Sequence, residues 1–281
     1  MDSEKYRVKT SVGIFRVEKS VSVDYQGNYK KDLLKIGGND FCVEYEYIRT
    51  SPEKVTLQWL TTEKMRCEEG GVEIRKEKTV HLFDLSVKLL KRYIDVKEIV
   101  LLDNSKFKCK LPDDSVEIIS LSHYHFLYHK GKTWYSDKFG AVPIQTDEKT
   151  QYESWILNFD DPTKKPKTFD FKNDDLNAEF EPIWYSTATW SEFLETIKAQ
   201  PNICQKTYPW VLYAFYILSD KRPLPSYWKI DVNSRPNIEY TVLPRLGGKR
   251  TRKDYKYKSE NLLEPNFPNY EILKLMKFTS S

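Results

Sequence analysis

Between Phe41 and Leu102 the hydrophobic period changes twice, and each change restricts what the chain can fold into. Phe41, Val43, Tyr45 and Tyr47 alternate with polar residues, Ser51-Pro52-Glu53 turns the chain, and Val55, Leu57 and Trp59 alternate again. Period two on both sides of a turn predicts a β-hairpin with these side chains on one face. From Leu82 to Ile94 the spacing becomes three and four, through Leu82, Phe83, Ser86, Leu89, Leu90, Tyr93 and Ile94, with Lys88, Lys91 and Arg92 placed late. That is an amphipathic helix whose basic residues suit its C-terminal dipole. Ile99 to Leu102 is a short aliphatic run ending at Asp103-Asn104-Ser105, as a buried strand ends before a turn. Hairpin, helix and strand in succession predict an α/β (α+β) fold, a mixed sheet with helices packed on it.

Upstream, Val12, Ile14, Val17, Val21 and Val23 predict two short strands or a bent one, ended by Gln26-Gly27-Asn28. Val72 and Ile74 suggest a further strand, Lys106 to Asp114 a lysine-rich excursion, and Val116 to His129 a second helix. Later, Tyr152, Trp155, Leu157 and Phe159 suggest a strand, and Asp160 to Asn177 a charged, proline-containing loop. Thr189 and Glu192 have the spacing of a capping box ahead of Phe193, Leu194 and Ile197. Tyr208 to Leu218 predicts a buried helix, and Pro223, Pro225, Pro236 and Pro244 exclude long elements between Lys221 and Arg245. The organisation expected is an α/β domain over 1–145, a strand and charged linker over 146–180, an irregular aromatic-rich helical region over 181–245, and a basic tail over 246–281.

With 45 basic against 41 acidic residues in a chain of 281, the net charge of +4 says little about the whole surface. Any nucleic-acid role must rest on local clustering. Cys42, Cys67, Cys109 and Cys204 lie far apart without C-x-x-C spacing, which favours reduced thiols in a cytosol-like compartment and a solvent-facing Cys109. The polar start Met-Asp-Ser-Glu-Lys lacks a signal peptide's apolar core, and the longest apolar run, Trp210 to Leu218, is short of a membrane span. A chain that is neither secreted nor membrane-spanning is expected. Seven tryptophans and nineteen tyrosines exceed what one small core uses, which predicts an aromatic interface with a protein partner.

Three places carry residue types that do chemistry. His123, His125 and His129 fall within seven residues, and His125 and His129 stand four apart on one helix face. They form a candidate metal pair, but no nearby Cys or H-E-x-x-H glutamate completes a set of three or four ligands, so an aromatic helix packed on the sheet is expected and no metal. Gly131-Lys132-Thr133 copies the end of a phosphate loop, yet Phe126 stands where that loop requires glycine. From Gly247 to Lys258 the cations Lys249, Arg250, Arg252, Lys253, Lys256 and Lys258 interleave with Tyr255 and Tyr257, suiting phosphates and bases or an acidic partner. Ser86, Ser120 and Ser122 lack a nucleophile-elbow context, and no paired carboxylates stand out.

Gly131-Lys132-Thr133-Trp134-Tyr135, followed by Phe139-Gly140-Ala141, resembles a GKTWYxxxFGA motif of uncharacterised proteins from giant, nucleocytoplasmic large DNA viruses. That resemblance implies a viral protein located in the host cytoplasm, the viral factory or the virion. The order hairpin, helix, strand, helix, then Tyr135-x-x-x-Phe139-Gly140 resembles the second half of the GNAT N-acetyltransferase fold over about Asp40 to Ile144. It implies an acyl-CoA site in a sheet opening, with Tyr135 as the acid for the leaving thiolate. The family's glycine-bearing diphosphate loop should precede Leu82, and Val72 to His81 contains no glycine. The expectation is a non-enzymatic viral protein without a cofactor, a virion-associated structural component or a protein-interaction module. An acyl-CoA-dependent N-acetyltransferase-like enzyme and a nucleic-acid binder acting through the basic tail are the alternatives.

Overall fold

The structure is a computed structural model that describes residues 4–60, 67 and 79–243. The expected strand at Val72 and Ile74 and the basic run from Lys249 to Lys258 lie outside the described residues. Residues 1–245 form one compact unit.

The fold is α/β of the mixed kind. Strands β1 (Glu4–Thr10), β2 (Gly13–Val23), β3 (Tyr29–Gly37), β4 (Phe41–Ile48) and β5 (Ser51–Leu60) form an antiparallel meander. Helix α1 (Thr79–Leu90) precedes β6 (Glu98–Leu102), which pairs with β5 in parallel, Val55 opposite Ile99 and Leu57 opposite Leu101. Three strands from later in the chain complete the sheet: β9 (Val142–Pro143), β10 (Tyr227–Asp231) and β11 (Thr241–Leu243), giving the order β11-β1-β2-β3-β4-β5-β6-β10-β9. A second ribbon pairs β7 (Lys106–Lys110) with β8 (Val116–Ser120).

Alternation places one face of the sheet in the core. Val17, Leu34, Ile36, Val43, Tyr45, Val55, Leu57, Ile99, Leu101, Trp228 and Ile230 are all buried there. The Tyr45 hydroxyl meets Ser86 of α1 at 2.6 Å, which ties helix to sheet and satisfies two buried polar atoms. The opposite face carries a transverse charge row. Lys5, Glu18, Lys35 and Glu44 are direct cross-strand neighbours, with ion pairs at 2.7 Å for Lys5–Glu18 and 3.0 Å for Lys35–Glu44.

The hairpin and β6 form where the periodicity places them; α1 begins at Thr79 and ends at Leu90, so Tyr93 and Ile94 lie beyond it, and the early run from Ile14 to Val23 falls in the single strand β2, with β1 upstream of it. Strand β3 went unread because Asp32 occupies a core position in it. That carboxylate is fully buried and is bridged by both nitrogens of the Arg49 fork, Nη2 at 2.7 Å. Trp59 is not on the core face: the ladder slips between Leu57 and Trp59, pairing Tyr45 with Leu57 but Glu44 with Trp59, and the ring is 51% exposed. Val116 to His129 is not one helix. The β-branched run forms β8, and Ser120 caps α2 (Leu121–Tyr128), its hydroxyl accepting from the His123 amide. Tyr152 to Phe159 is not a strand. Helix α4 (Thr146–Leu157) buries Tyr152 and Trp155, three apart, and leaves Leu157 73% exposed, so period three rather than two is the operative one.

Helices α5 (Asp174–Ser186), α6 (Trp190–Lys198), α7 (Ile203–Thr207) and α8 (Val211–Leu218) enclose an aromatic part of the core, continuous with that of the sheet. The capping box at Thr189 and Glu192 starts α6 as its spacing predicts. Phe169, Phe171, Phe180, Trp184, Trp190, Phe193 and Trp210 pack mostly edge to face, and the buried indoles donate to carbonyls: Trp184 to Pro166, Trp190 to Lys164, Trp210 to Lys206. The loop after α4 is therefore a clasp. Its Lys165 ammonium lies 4.1 Å from the Trp184 ring centroid and donates to Trp184 and Thr187 carbonyls. Trp155 and Trp228 are buried as well, so five of the seven tryptophans fill the core, whereas Tyr25, Tyr29, Tyr185 and Tyr227 are exposed.

The cysteines are not reduced thiols. Cys42 bridges Cys67 and Cys109 bridges Cys204, all four in disulfides, and Cys109 is buried rather than solvent-facing. The second bridge closes 95 residues and pins the β7–β8 ribbon to α7. Constraining a loop of that length in the unfolded chain is worth about 2–5 kcal/mol. Cys204→Ser should lower the urea midpoint under oxidising conditions and remove this bridge's share of the dependence on added reductant, with Cys42–Cys67 keeping the rest, as measured by unfolding with and without dithiothreitol.

Candidate functional site

The segment from α2 to Ala141 explains itself as architecture. After α2 ends, Lys130 and Gly131 adopt left-handed backbone (φ 49° and 80°), and the Gly131 amide donates to the Phe126 carbonyl at 2.8 Å. A Cβ at Gly131 would come within 2.7 Å of the Ile156 side chain, so glycine is required by backbone and by neighbour alike. Thr133 then caps α3 (Trp134–Phe139), its hydroxyl accepting from the Ser136 amide and its own amide donating to the Tyr152 hydroxyl at 3.1 Å. Gly140 ends α3 with φ 67°. Lys132 points into solvent, so Gly131-Lys132-Thr133 is a helix-to-helix turn and not a phosphate cradle.

Helix α3 is held from two sides. Phe139 packs on Phe83 of α1 with centroids 4.2 Å apart, and Trp134 meets Phe139 edge on. Arg235, from the segment after β10, lies over both Phe83 and Phe139, donates to the Lys138 carbonyl, and pairs with Asp84 of α1 at 2.6 Å. Burial pushes the Asp84 carboxyl up and the guanidinium pulls it back.

Tyr135 is 8% exposed, on the inner side of α3. Burial, with the nearby Asp103 charge adding to it, raises its phenol well above the ordinary value, so it is protonated at neutral pH. Asp103 follows β6 and accepts from Ser105 and Ser122, joining the end of the parallel strand to α2.

On α2 the three histidines separate. Burial pushes the His123 imidazole down to about 4, and the ring stacks edge on against Phe215. His125 and His129 lie parallel, 3.6 Å between centroids and 7° between planes. His125 Nδ1 donates to the Lys132 carbonyl at 2.9 Å, which leaves the Nε2 lone pair free, 3.8 Å from Asp137 Oδ2. Burial lowers both imidazoles, His125 to about 4, so both are neutral at pH 7. Ligand atoms of His125, His129 and Asp137 all lie within 4.8 Å of one another. Sequence reasoning paired the histidines and missed Asp137, because a carboxylate eight residues beyond His129 on another helix follows no periodicity.

No family model, no curated protein and no solved structure matches the chain. Among the described residues no helix is long and apolar enough to cross a membrane.

Truncating Arg235 would strand Asp84, 5% exposed, without its partner. Removing one member of a buried pair costs about 3–5 kcal/mol. Arg235→Ala should therefore shift the urea midpoint strongly, and Asp84→Ala on top of it should recover part of the loss.

Proposed function

We propose that this chain is a non-enzymatic viral interaction protein, a virion-associated structural component that docks on an acidic protein surface. The observation that supports this reading is the outer face of the β7–β8 ribbon. Lys106, Lys108 and Lys110 are exposed on one strand, and Ile118 (62% exposed) and Val116 (49%) stand opposite Lys108 and Lys110 on the other. Exposed aliphatic side chains beside a row of cations, of which Lys110 already pairs with Asp114 at 2.5 Å, suit a partner with apolar and acidic groups side by side. A phosphate backbone answers the lysines and leaves the aliphatics without contact, which favours protein over nucleic acid here.

The ribbon is also preorganised, and rigid surfaces lose less entropy on docking. Besides the Cys109–Cys204 bridge, Phe107 packs on Tyr124 at 4.9 Å, and Gln205 donates to the Lys110 carbonyl at 2.6 Å. A photo-crosslinking residue at position 118 should give one discrete protein adduct in purified particles, lost in Lys106→Glu/Lys108→Glu/Lys110→Glu at unchanged melting temperature. Absence of the chain from particles by mass spectrometry, together with no adduct, would overturn the reading.

The sheet bears on a second reading, acetyl transfer, and the residues at the helix start weigh against it. In the N-acetyltransferase resemblance an acyl-CoA enters where parallel strands part. Here the β5–β6 register stops at Leu57–Leu101 although β5 continues to Leu60, with the Tyr135 phenol near Asp103 just beyond. The start of α1, where a diphosphate would sit, is covered: Thr79 is 6% exposed, and Val72 to His81 contains no glycine. The residues present do not fit that cofactor, so we read the likeness as one of fold without acetyl transfer. Acetyl-CoA and free CoA should leave the melting temperature unchanged. A saturable rise, with activity abolished in Tyr135→Phe, would reverse this reading.

A further inference from the structure

The docking face leaves one group of side chains unused, at the opposite end of α2. We propose that His125, His129 and Asp137 bind a divalent transition-metal ion, zinc in the first instance. Two imidazoles and one carboxylate are a ligand set zinc takes in sites with an open fourth position.

Geometry carries the inference. With metal–ligand bonds of about 2.0–2.2 Å, a tetrahedral ion draws its ligand atoms to roughly 3.3–3.5 Å from one another. Here they are at most 4.8 Å apart, so capture takes side-chain rotation and no movement of the helices. The three residues also divide into a fixed and a movable part. His125 is 6% exposed and oriented by its Nδ1–H to the Lys132 carbonyl, the kind of backbone contact that fixes the tautomer of a metal-ligating histidine. Its free Nε2 already faces Asp137, 3.8 Å from Oδ2. His129 is exposed at the C-terminal cap of α2, where turning its ring breaks only the stack on His125.

Charge is arranged for a cation as well. Two imidazoles and one carboxylate are donors suited to a doubly charged ion. Lys138 holds Asp137 Oδ2 at 2.7 Å, but that lysine is 42% exposed, and a solvent-facing ion pair is a small loss when a doubly charged ion replaces it. Because His125 and His129 sit on α2 and Asp137 on α3, a bound ion staples the two helices across the Gly131 turn.

The test uses the full chain, untagged and stripped with EDTA, so that no tag histidines compete. Titration of zinc against a chromophoric chelator should show one ion per chain, and His129→Ala and Asp137→Asn should each weaken it roughly tenfold or more. Cobalt(II) should give visible d–d absorption of tetrahedral intensity, lost in both variants. His129 and Asp137 carry little packing, so unchanged metal-free melting curves separate loss of ligand from loss of fold. Equal affinity in the wild type and both variants, or no binding at micromolar zinc, would overturn the proposal. Cobalt absorption of octahedral intensity would overturn the tetrahedral assignment and move the site to the iron(II) class, which two histidines and a carboxylate also serve.

Discussion

Two parallel strands cannot be joined by a turn, and the pairing of β5 with β6 is the constraint on which the rest of this fold depends. The crossover that satisfies it includes α1, and α1 covers the buried face of the meander through Tyr45 and Ser86. Once β6 lies beside β5, its other edge is open, and an uncovered edge invites unwanted pairing. Strand β10 closes it in antiparallel register, and β9 follows. The C-terminal half of the chain is thereby attached to the sheet by ladder hydrogen bonds, and its helices extend the same core. Arg235 repeats the attachment at side-chain level, reaching Asp84 on α1 and the Lys138 carbonyl on α3 from the segment just after β10.

The legible parts of this architecture were those where one physical signal acts alone. Alternation gave the hairpin and the three-four spacing gave α1, because each face has a single neighbour. The capping box at Thr189 was legible because two side chains and two amides satisfy each other locally. Strand β3 was hidden by Asp32, whose burial makes sense only with Arg49, seventeen residues away. Trp59 was misplaced by one extra residue in the ladder, and such a slip leaves no mark on composition. Helix α4 was mistaken for a strand because Tyr152, Trp155, Leu157 and Phe159 satisfy two periods in part, and only the packing of Trp155 against Phe215 decides between them. The disulfides were illegible for a different reason, since pairing across 95 residues depends on where β7 and α7 meet.

The same division holds for the candidate site. Gly131, Thr133 and Gly140 are backbone punctuation, and their roles follow from local chemistry once the two helices are placed. What punctuation does to side chains is a consequence of the turn and not of any motif. Folding α3 back across the end of α2 sets Asp137 beside His125, and the carbonyl of Lys132, freed from helical pairing by that turn, accepts the His125 proton. A sequence reader sees a phosphate-loop fragment in Gly-Lys-Thr; the fold uses those residues to bring a carboxylate to two imidazoles.

Helix α2 joins the β7–β8 ribbon to the histidine pair. Its first residue follows directly on β8, whose Val116 and Ile118 are exposed, and its last turn carries His125 next to His129. Eight helical residues span about 12 Å. Between the two ends α2 is held by Phe126 against Phe159 and Phe215, and by Ser122 against Asp103. A rod held along its length keeps its ends in fixed relation. The ribbon is fixed independently of the α2–α3 junction, by its own bridge to α7 and by Phe107 on Tyr124.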